Sequence, residues 1–205
     1  MSKYTIIEDA SPFYVRFTFN GLSEIINFIL KQDFLPENCR TYFGVHNEVG
    51  YTHCNFTKEI GETIVKMLPM SDLFEFKTDR VAVFNTPPNG GCGVHKDGLA
   101  DKVSFNITIE VNDDRCITNW YDDKDFNEPD PNNLYSRNVY KDFTNLDQFN
   151  PINTMIARPN EMIIFNTDMY HSWQNKSEYT RKVLTLRTVD RTTLTYNEVK
   201  NKLFE

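Results

Sequence analysis

Apolar positions recur along the chain with two different periods. From Phe13 to Phe19 they alternate weakly with Arg16 and Thr18, as in a strand. Over Leu22 to Leu30 the apolar residues fall at helical spacing, and Asn20 or Ser23 is available as the cap. A second helix is predicted over 57–68, with Thr57 as N-cap and Ile60, Ile64 and Met67 on one stripe. After Ser71 the texture changes to short β-prone runs at 80–84, 102–111, 116–121, 154–157, 161–165 and 181–189. Turn residues separate them, notably Asn85 to Gly91, Asn112 to Asp114 and Arg158 to Asn160. A short helix closes the chain over 196–204. This pattern predicts a mainly β sandwich or barrel with flanking helices, and a jelly roll is one such solution.

The sequence holds no internal repeat, low-complexity tract or Gly/Ser linker, so residues 1–205 are read as one domain. Residues up to about 75 form helical and strand support, and about 76–190 form the β core, with an insert at 122–151. The insert is polar, yet it carries Tyr135, Tyr140, Phe143 and Phe149. A connection of this length inside a compact domain is functional or disordered, and the aromatics argue against full disorder. It is expected to act as a lid over a site.

Composition narrows the function. A formal net charge of −7 argues against a general affinity for nucleic acid, which needs a basic footprint. No apolar run approaches a membrane span, and the first residues lack a signal-peptide core, so the expected location is cytoplasmic. Cys39, Cys54, Cys92 and Cys116 form no C-x-x-C pair and are expected to be free, mostly buried thiols. The abundance of Phe (16) and Tyr (10) predicts an aromatic-rich core.

The chemistry lies in His95-Lys96-Asp97 and His171. Residues i and i+2 of an extended segment point the same way, so His95 and Asp97 can reach one ion. Two imidazoles and one carboxylate leave three open metal positions, the facial triad of non-haem iron(II) oxygenases. The third ligand, His171, is expected from a strand across the barrel. Gly90, Gly91 and Gly93 bring a flexible backbone up to His95, as a site at a barrel mouth would need. His46 and His53 have no such partners and are read as structural or surface histidines.

The stretch Glu161 to Asn175, continuing through Thr180 and Arg181 to Leu186, resembles the C-terminal signature of Fe(II)/2-oxoglutarate-dependent oxygenases. It is most similar to the aspartyl/asparaginyl β-hydroxylase-like group, which includes some bacterial proline hydroxylases. In that group an apolar strand ends in an acidic turn and the distal His; an Asn follows four residues on, and an Arg ten residues after the His opens the next strand. His171, Asn175 and Arg181 stand at those places. The resemblance covers Gly91 to Asn106 and Arg158 to Arg187. It implies a double-stranded β-helix (jelly roll, cupin-like) that uses Fe(II), 2-oxoglutarate and O2 and releases succinate and CO2. The presence of Asp97 favours hydroxylation, because halogenating relatives carry a small residue there.

The resemblance also assigns Arg181 to the far carboxylate of 2-oxoglutarate, a contact that a planar guanidinium makes in bidentate fashion. On that strand Arg181, Val183, Thr185 and Arg187 share one face. Arg187 is either a second contact or a surface charge, the latter preferred. On 102–111, Ser104, Asn106 and Thr108 make a polar face, either pocket lining or solvent-facing; Ser104 and Asn106 are the candidates for the near end of the co-substrate. Trp120, Tyr121 and Tyr135 are possible walls or lid residues, with a core role for Trp120 and Tyr121 the plainer alternative. The expected substrate is an amino acid, a peptidyl side chain or a small metabolite, and oligomeric state is open. The alternatives are another metal-dependent cupin (an isomerase or hydrolase) and a non-catalytic β-barrel binding module. Arg181 and Arg187 also match the R-x5-R spacing of alkylated-base repair oxygenases, but the acidic charge speaks against that subclass.

Overall fold

Alternation on the runs at 102–111 and 181–189 splits each strand between an apolar and a polar face, and the larger sheet is built around them. A computed structural model describes residues 3–97, 101–126 and 137–205. In chain order the elements are β1 (Tyr4–Ala10), β2 (Tyr14–Phe19), α1 (Leu22–Leu30), β3 (Cys39–Phe43), β4 (Val49–Asn55), α2 (Lys58–Met67), β5 (Ala82–Thr86) and β6 (Gly91–Lys96). They continue with β7 (Val103–Glu110), β8 (Cys116–Trp120), β9 (Arg137–Tyr140), β10 (Asn153–Ile156), β11 (Glu161–Asn166), β12 (His171–Asn175), β13 (Arg181–Leu186) and α3 (Tyr196–Phe204).

The larger sheet runs β1-β2-β11-β7-β13-β5-β4-β3 and the smaller β10-β8-β12-β6-β9. All their named pairings are antiparallel. The two sheets face each other across a cavity, which is the double-stranded β-helix with flanking helices. The main core lies on the outer face of the larger sheet. There Phe105 and Ile107 of β7 and Leu184 and Leu186 of β13 pack with Ile25 of α1, Ile64 of α2 and Val199 of α3. With the apolar residues turned out to the helices, their polar neighbours must face the cavity. No described helix is long and apolar enough to cross a membrane.

Local signals account for most helix ends. Thr57 caps α2 by accepting from the Ile60 amide, as its position predicts. A capping box of Thr195 and Glu198 starts α3. The expected cap of α1 is corrected: neither Asn20 nor Ser23 serves, and the N-cap is Gly21 at φ 96°, a left-handed conformation suited to glycine. The alternation also misses β1, β3, β4, β6, β9 and β12. Gly91 and Gly93, read as flexible backbone, belong to the well-paired β6. A Cβ there would collide with the carbonyls of Trp173 and Tyr140, so these glycines permit the close approach of the neighbouring strands.

The free-thiol expectation fails at Cys39 and Cys54. They are register partners on β3 and β4 and form a disulfide; Cys92 and Cys116 are free. Such bridges persist in oxidising surroundings. A closed loop of this size stabilises by about 3 kcal/mol, with the sequence separation being 15. The double variant Cys39→Ala/Cys54→Ala is therefore expected to melt about 6–12 °C lower, given about 2–4 °C per kcal/mol for a chain of this size. Thiol titration of the denatured wild type should find two free thiols rather than four, since only Cys92 and Cys116 are unbridged.

Candidate metal centre and its cavity

β6 and β12 are neighbours in the smaller sheet, and His95 and His171 are direct register partners. The expectation of a ligand from across the barrel is thus corrected: the third candidate sits one strand away in the same sheet. The two rings lie 4.2 Å apart between centroids. Asp97, just beyond β6, is held by its amide donating to the Thr167 carbonyl at 3.2 Å. One candidate ligand atom from each of His95, Asp97 and His171 lies within 4.8 Å of the others.

Both imidazoles are preset for metal. Nδ1 of His95 lies 2.9 Å from the Gly93 carbonyl, and Nδ1 of His171 lies 2.9 Å from the Met169 carbonyl. A carbonyl only accepts, so each Nδ1 carries a proton and Nε2 is the atom turned toward an ion, the usual arrangement around a ligating histidine. On His95, whose pKa is raised, a bound ion would displace a second proton from Nε2. Burial and the adjacent His95 push the pKa of His171 down to about 3, so its ring is neutral. Burial also works against a charge on His95, but Cys92, Asp97 and the Gly93 carbonyl outweigh it and hold that ring at about 9. Asp97 Oδ1 faces His95 Nε2 at 3.7 Å, whereas Oδ2 is paired with Arg187 Nη2 at 3.5 Å. Trp173 meets His95 edge-on at 5.3 Å, and Phe165 meets His171 edge-on at 5.4 Å, which fixes both rings.

The three residues open onto a cavity of about 310 Å³ between the sheets. Arg181, Val183, Thr185 and Arg187 all line it, as the alternation of β13 requires. So do Ser104, Asn106 and Thr108, which settles the polar face of β7 as cavity lining. Ser104 Oγ donates to Asn106 Oδ1 at 3.0 Å and lies 3.2 Å from Thr185 Oγ1. Arg181 is 6% exposed. No carboxylate pairs with it among the described residues, and its Nε has no hydrogen-bond partner. Burial accordingly lowers its pKa, with only the Cys116 thiol opposing. A buried, unpaired guanidinium is costly unless an anion arrives.

Arg187 is not the surface charge preferred from sequence. It pairs with Asp97 and with Asp101, the latter at 3.5 Å, and its side chain is 16% exposed. Trp120 and Tyr121 do not line the cavity. Trp120 packs with Tyr14 and Phe165, while Tyr121 packs with Tyr170 and hydrogen-bonds Ser172 at 2.8 Å. Tyr135 lies outside the described residues. The described parts of 122–151 do not line the cavity either: Phe126, Tyr140, Phe143 and Phe149 gather against Tyr121 and Tyr170. Over those residues the lid expectation is therefore not met. Asn175 is a structural clamp. Its Nδ2 donates to the carbonyls of Thr86, Pro87 and Tyr179, and its Oδ1 accepts from Ser177, locking the end of β12 to the β5–β6 turn.

Sequence reasoning missed the wall beside the metal centre. Trp173, Phe84, Tyr51 and Tyr42 line the cavity. Trp173 shared the face of His171 by simple alternation and was findable; Tyr42 and Tyr51 lie on strands that carried no clear signal. His53, one strand over, stacks on Phe84 at 4.7 Å. Burial, then Arg187, Arg40 and Arg80, lower its pKa from 6.5 to about 4. The neutral folded form means that the unfolded chain takes up a proton first as pH falls. Stability from His53 is thus complete above about pH 6.5 and is lost progressively toward pH 4. Unfolding in urea at pH 7.5 and 5.0 should show an acid loss about 1–2 kcal/mol smaller in His53→Phe than in wild type. Equal losses would place the acid sensitivity elsewhere.

No protein-family model matches the chain, and no curated protein matches it. Solved structures do share the fold. The epimerase SnoN in complex with Fe3+, alpha ketoglutarate and nogalamycin RO aligns with a TM-score of 0.52 at 9% identity, covering 84% of this chain and 78% of SnoN. HygX from Streptomyces hygroscopicus, with nickel and 2-oxoglutarate bound, aligns at 0.51 and 8% identity, covering 84% and 81%. A 2OG-Fe(II) oxygenase family oxidoreductase from Burkholderia pseudomallei aligns at 0.50 and 12% identity, covering 90% and 82%. At these identities the likeness establishes the fold, and the chemistry rests on the residues.

Proposed function

We propose that this protein is an Fe(II)- and 2-oxoglutarate-dependent oxygenase that hydroxylates a small molecule. The observation that carries the reading is the pairing of a two-His, one-carboxylate cluster with a buried, unpaired arginine in one cavity. The cluster suits iron(II), because it occupies one face of the ion and leaves the other open. Arg181 suits the far carboxylate of 2-oxoglutarate, and Ser104 and Asn106 the near end. Structures of the same fold hold Fe3+ with alpha ketoglutarate, or nickel with 2-oxoglutarate, which supports the assignment.

In this reading His95, Asp97 and His171 hold the metal, and Arg187 holds the second oxygen of Asp97, so that the carboxylate offers the first. Bound iron(II) and 2-oxoglutarate would supply the oxidation, consuming O2 and releasing succinate and CO2. The protein contributes fixed ligand geometry and a cavity with largely apolar walls. Another metal-dependent cupin could use the same cluster but would leave Arg181 without a purpose. Anaerobically purified protein given iron(II), 2-oxoglutarate and then oxygen should convert 2-oxoglutarate to succinate, faster with substrate present. Metal binding without any 2-oxoglutarate binding would favour the other cupin chemistry.

A further inference from the structure

The residues assigned to metal and co-substrate leave one tier of the cavity unexplained. From the ring of His95 a continuous aromatic wall runs outward. Trp173 lies 5.3 Å from His95, Tyr51 lies 5.3 Å from Trp173 and 5.4 Å from Phe84, and Tyr42 stacks on Tyr51 at 4.7 Å and 13°. Tyr42 is 41% exposed, so the wall reaches the surface. These rings pack against one another, which makes a face rather than a cage around a cation.

Beside them stands Arg187. Its Nη2 and Nε engage Asp97 and Asp101, but its Nη1 is buried without a partner among the described residues. Asp101 is shared, because Arg191 also pairs with it at 3.2 Å. A divalent ion would take up the charge of Asp97, and a co-substrate dianion would answer Arg181 and part of the ion. The guanidiniums of Arg187 and Arg191 would then share the single carboxylate of Asp101, leaving one positive charge uncompensated in a poorly hydrated place. Among the described residues Asp97 is the one acidic residue lining the cavity, so a ligand ammonium would find no free carboxylate among them.

We infer that the substrate is a small ring-bearing carboxylate without an ammonium group, its ring lying on Trp173, Tyr51 and Phe84 and its carboxylate on Nη1 of Arg187. The inference rests on the oxygenase reading and narrows it, setting aside free amino acids. Aromatic faces bind rings by burial and offset or edge contacts, and a buried arginine prefers a carboxylate to a neutral acceptor.

The test uses the full chain loaded with zinc(II), which is redox-silent, and 2-oxoglutarate. Phenylacetate, phenylpropionate and indole-3-acetate are titrated calorimetrically and by Trp fluorescence, against phenylacetamide and phenylalanine. At least one acid should bind, with phenylacetamide and phenylalanine at least tenfold weaker. Arg187→Gln should weaken that acid tenfold or more, Arg187→Lys less, and the surface change Tyr42→Ala about threefold. Arg187→Gln should itself weaken zinc, because Arg187 supports Asp97. Every titration is therefore made at saturating zinc, where 2-oxoglutarate affinity should stay within about threefold. Tyr42→Ala should leave both zinc and 2-oxoglutarate within about threefold. If 2-oxoglutarate binds and no acid does, or amide and acid bind alike, the inference falls and the oxygenase reading stands. If Arg187→Gln weakens 2-oxoglutarate instead, the free donor serves the co-substrate and the inference falls. Failure of 2-oxoglutarate itself to bind overturns both.

Discussion

Replacing His171 by alanine is expected to lower metal affinity by at least about a hundredfold. Removing a mere supporting contact around a metal commonly costs 10–100-fold, and His171 supplies one of the three candidate donors among the described residues. The alanine also leaves space beside Phe165, so folding needs its own check by circular dichroism and thermal melting. Calorimetry with zinc(II) or manganese(II) should give one site in wild type and no measurable site in the variant. An unchanged isotherm would remove His171 from the centre.

Arg181→Gln is expected to weaken 2-oxoglutarate binding by roughly ten- to more than a hundredfold while metal affinity stays nearly constant. The range follows from a charge-assisted contact worth about 1.5–3 kcal/mol or more when buried. Arg181 is buried and has no anion among the described residues, so the wild-type fold already bears the cost of the bare charge. The Gln variant should accordingly melt no lower than wild type in the absence of 2-oxoglutarate, and it should gain less thermal protection when the ligand is added. Lysine at 181 should restore part of the affinity, since it keeps the charge and loses the fork. Unaltered binding by Arg181→Gln would assign the co-substrate carboxylate elsewhere and remove the main support for an oxygenase.

Where one face of a strand is apolar and the other polar, the sequence was sufficient. The two faces of β7 and β13 were legible, although what the polar face of β7 meets was left open: packing against the helices takes Phe105, Ile107, Leu184 and Leu186, and so turns Ser104, Asn106, Arg181 and Thr185 to the cavity. The cluster of His95, Asp97 and His171 was legible for a related reason: spacing of two residues puts ligands on one side. The adjacency of His95 and His171 was not legible, since strand order depends on pairings across many residues. Arg187 was misjudged because its partners, Asp97 and Asp101, come from a connection that alternation does not describe. The hairpin of β3 and β4 escaped for a third reason. Its side chains are mostly exposed or half-buried, so apolar periodicity had little to mark.

That hairpin sits at the edge of the larger sheet, bridged to itself by Cys39–Cys54 and joined to the rest of the sheet through β5 alone. It contributes Tyr42 and Tyr51 to the cavity but none of the three metal-binding candidates. On the proposed reading, change within residues 39–55 would reshape one side of the cavity and leave the candidate metal residues where they are, and the cross-link would keep that segment tied as it varied.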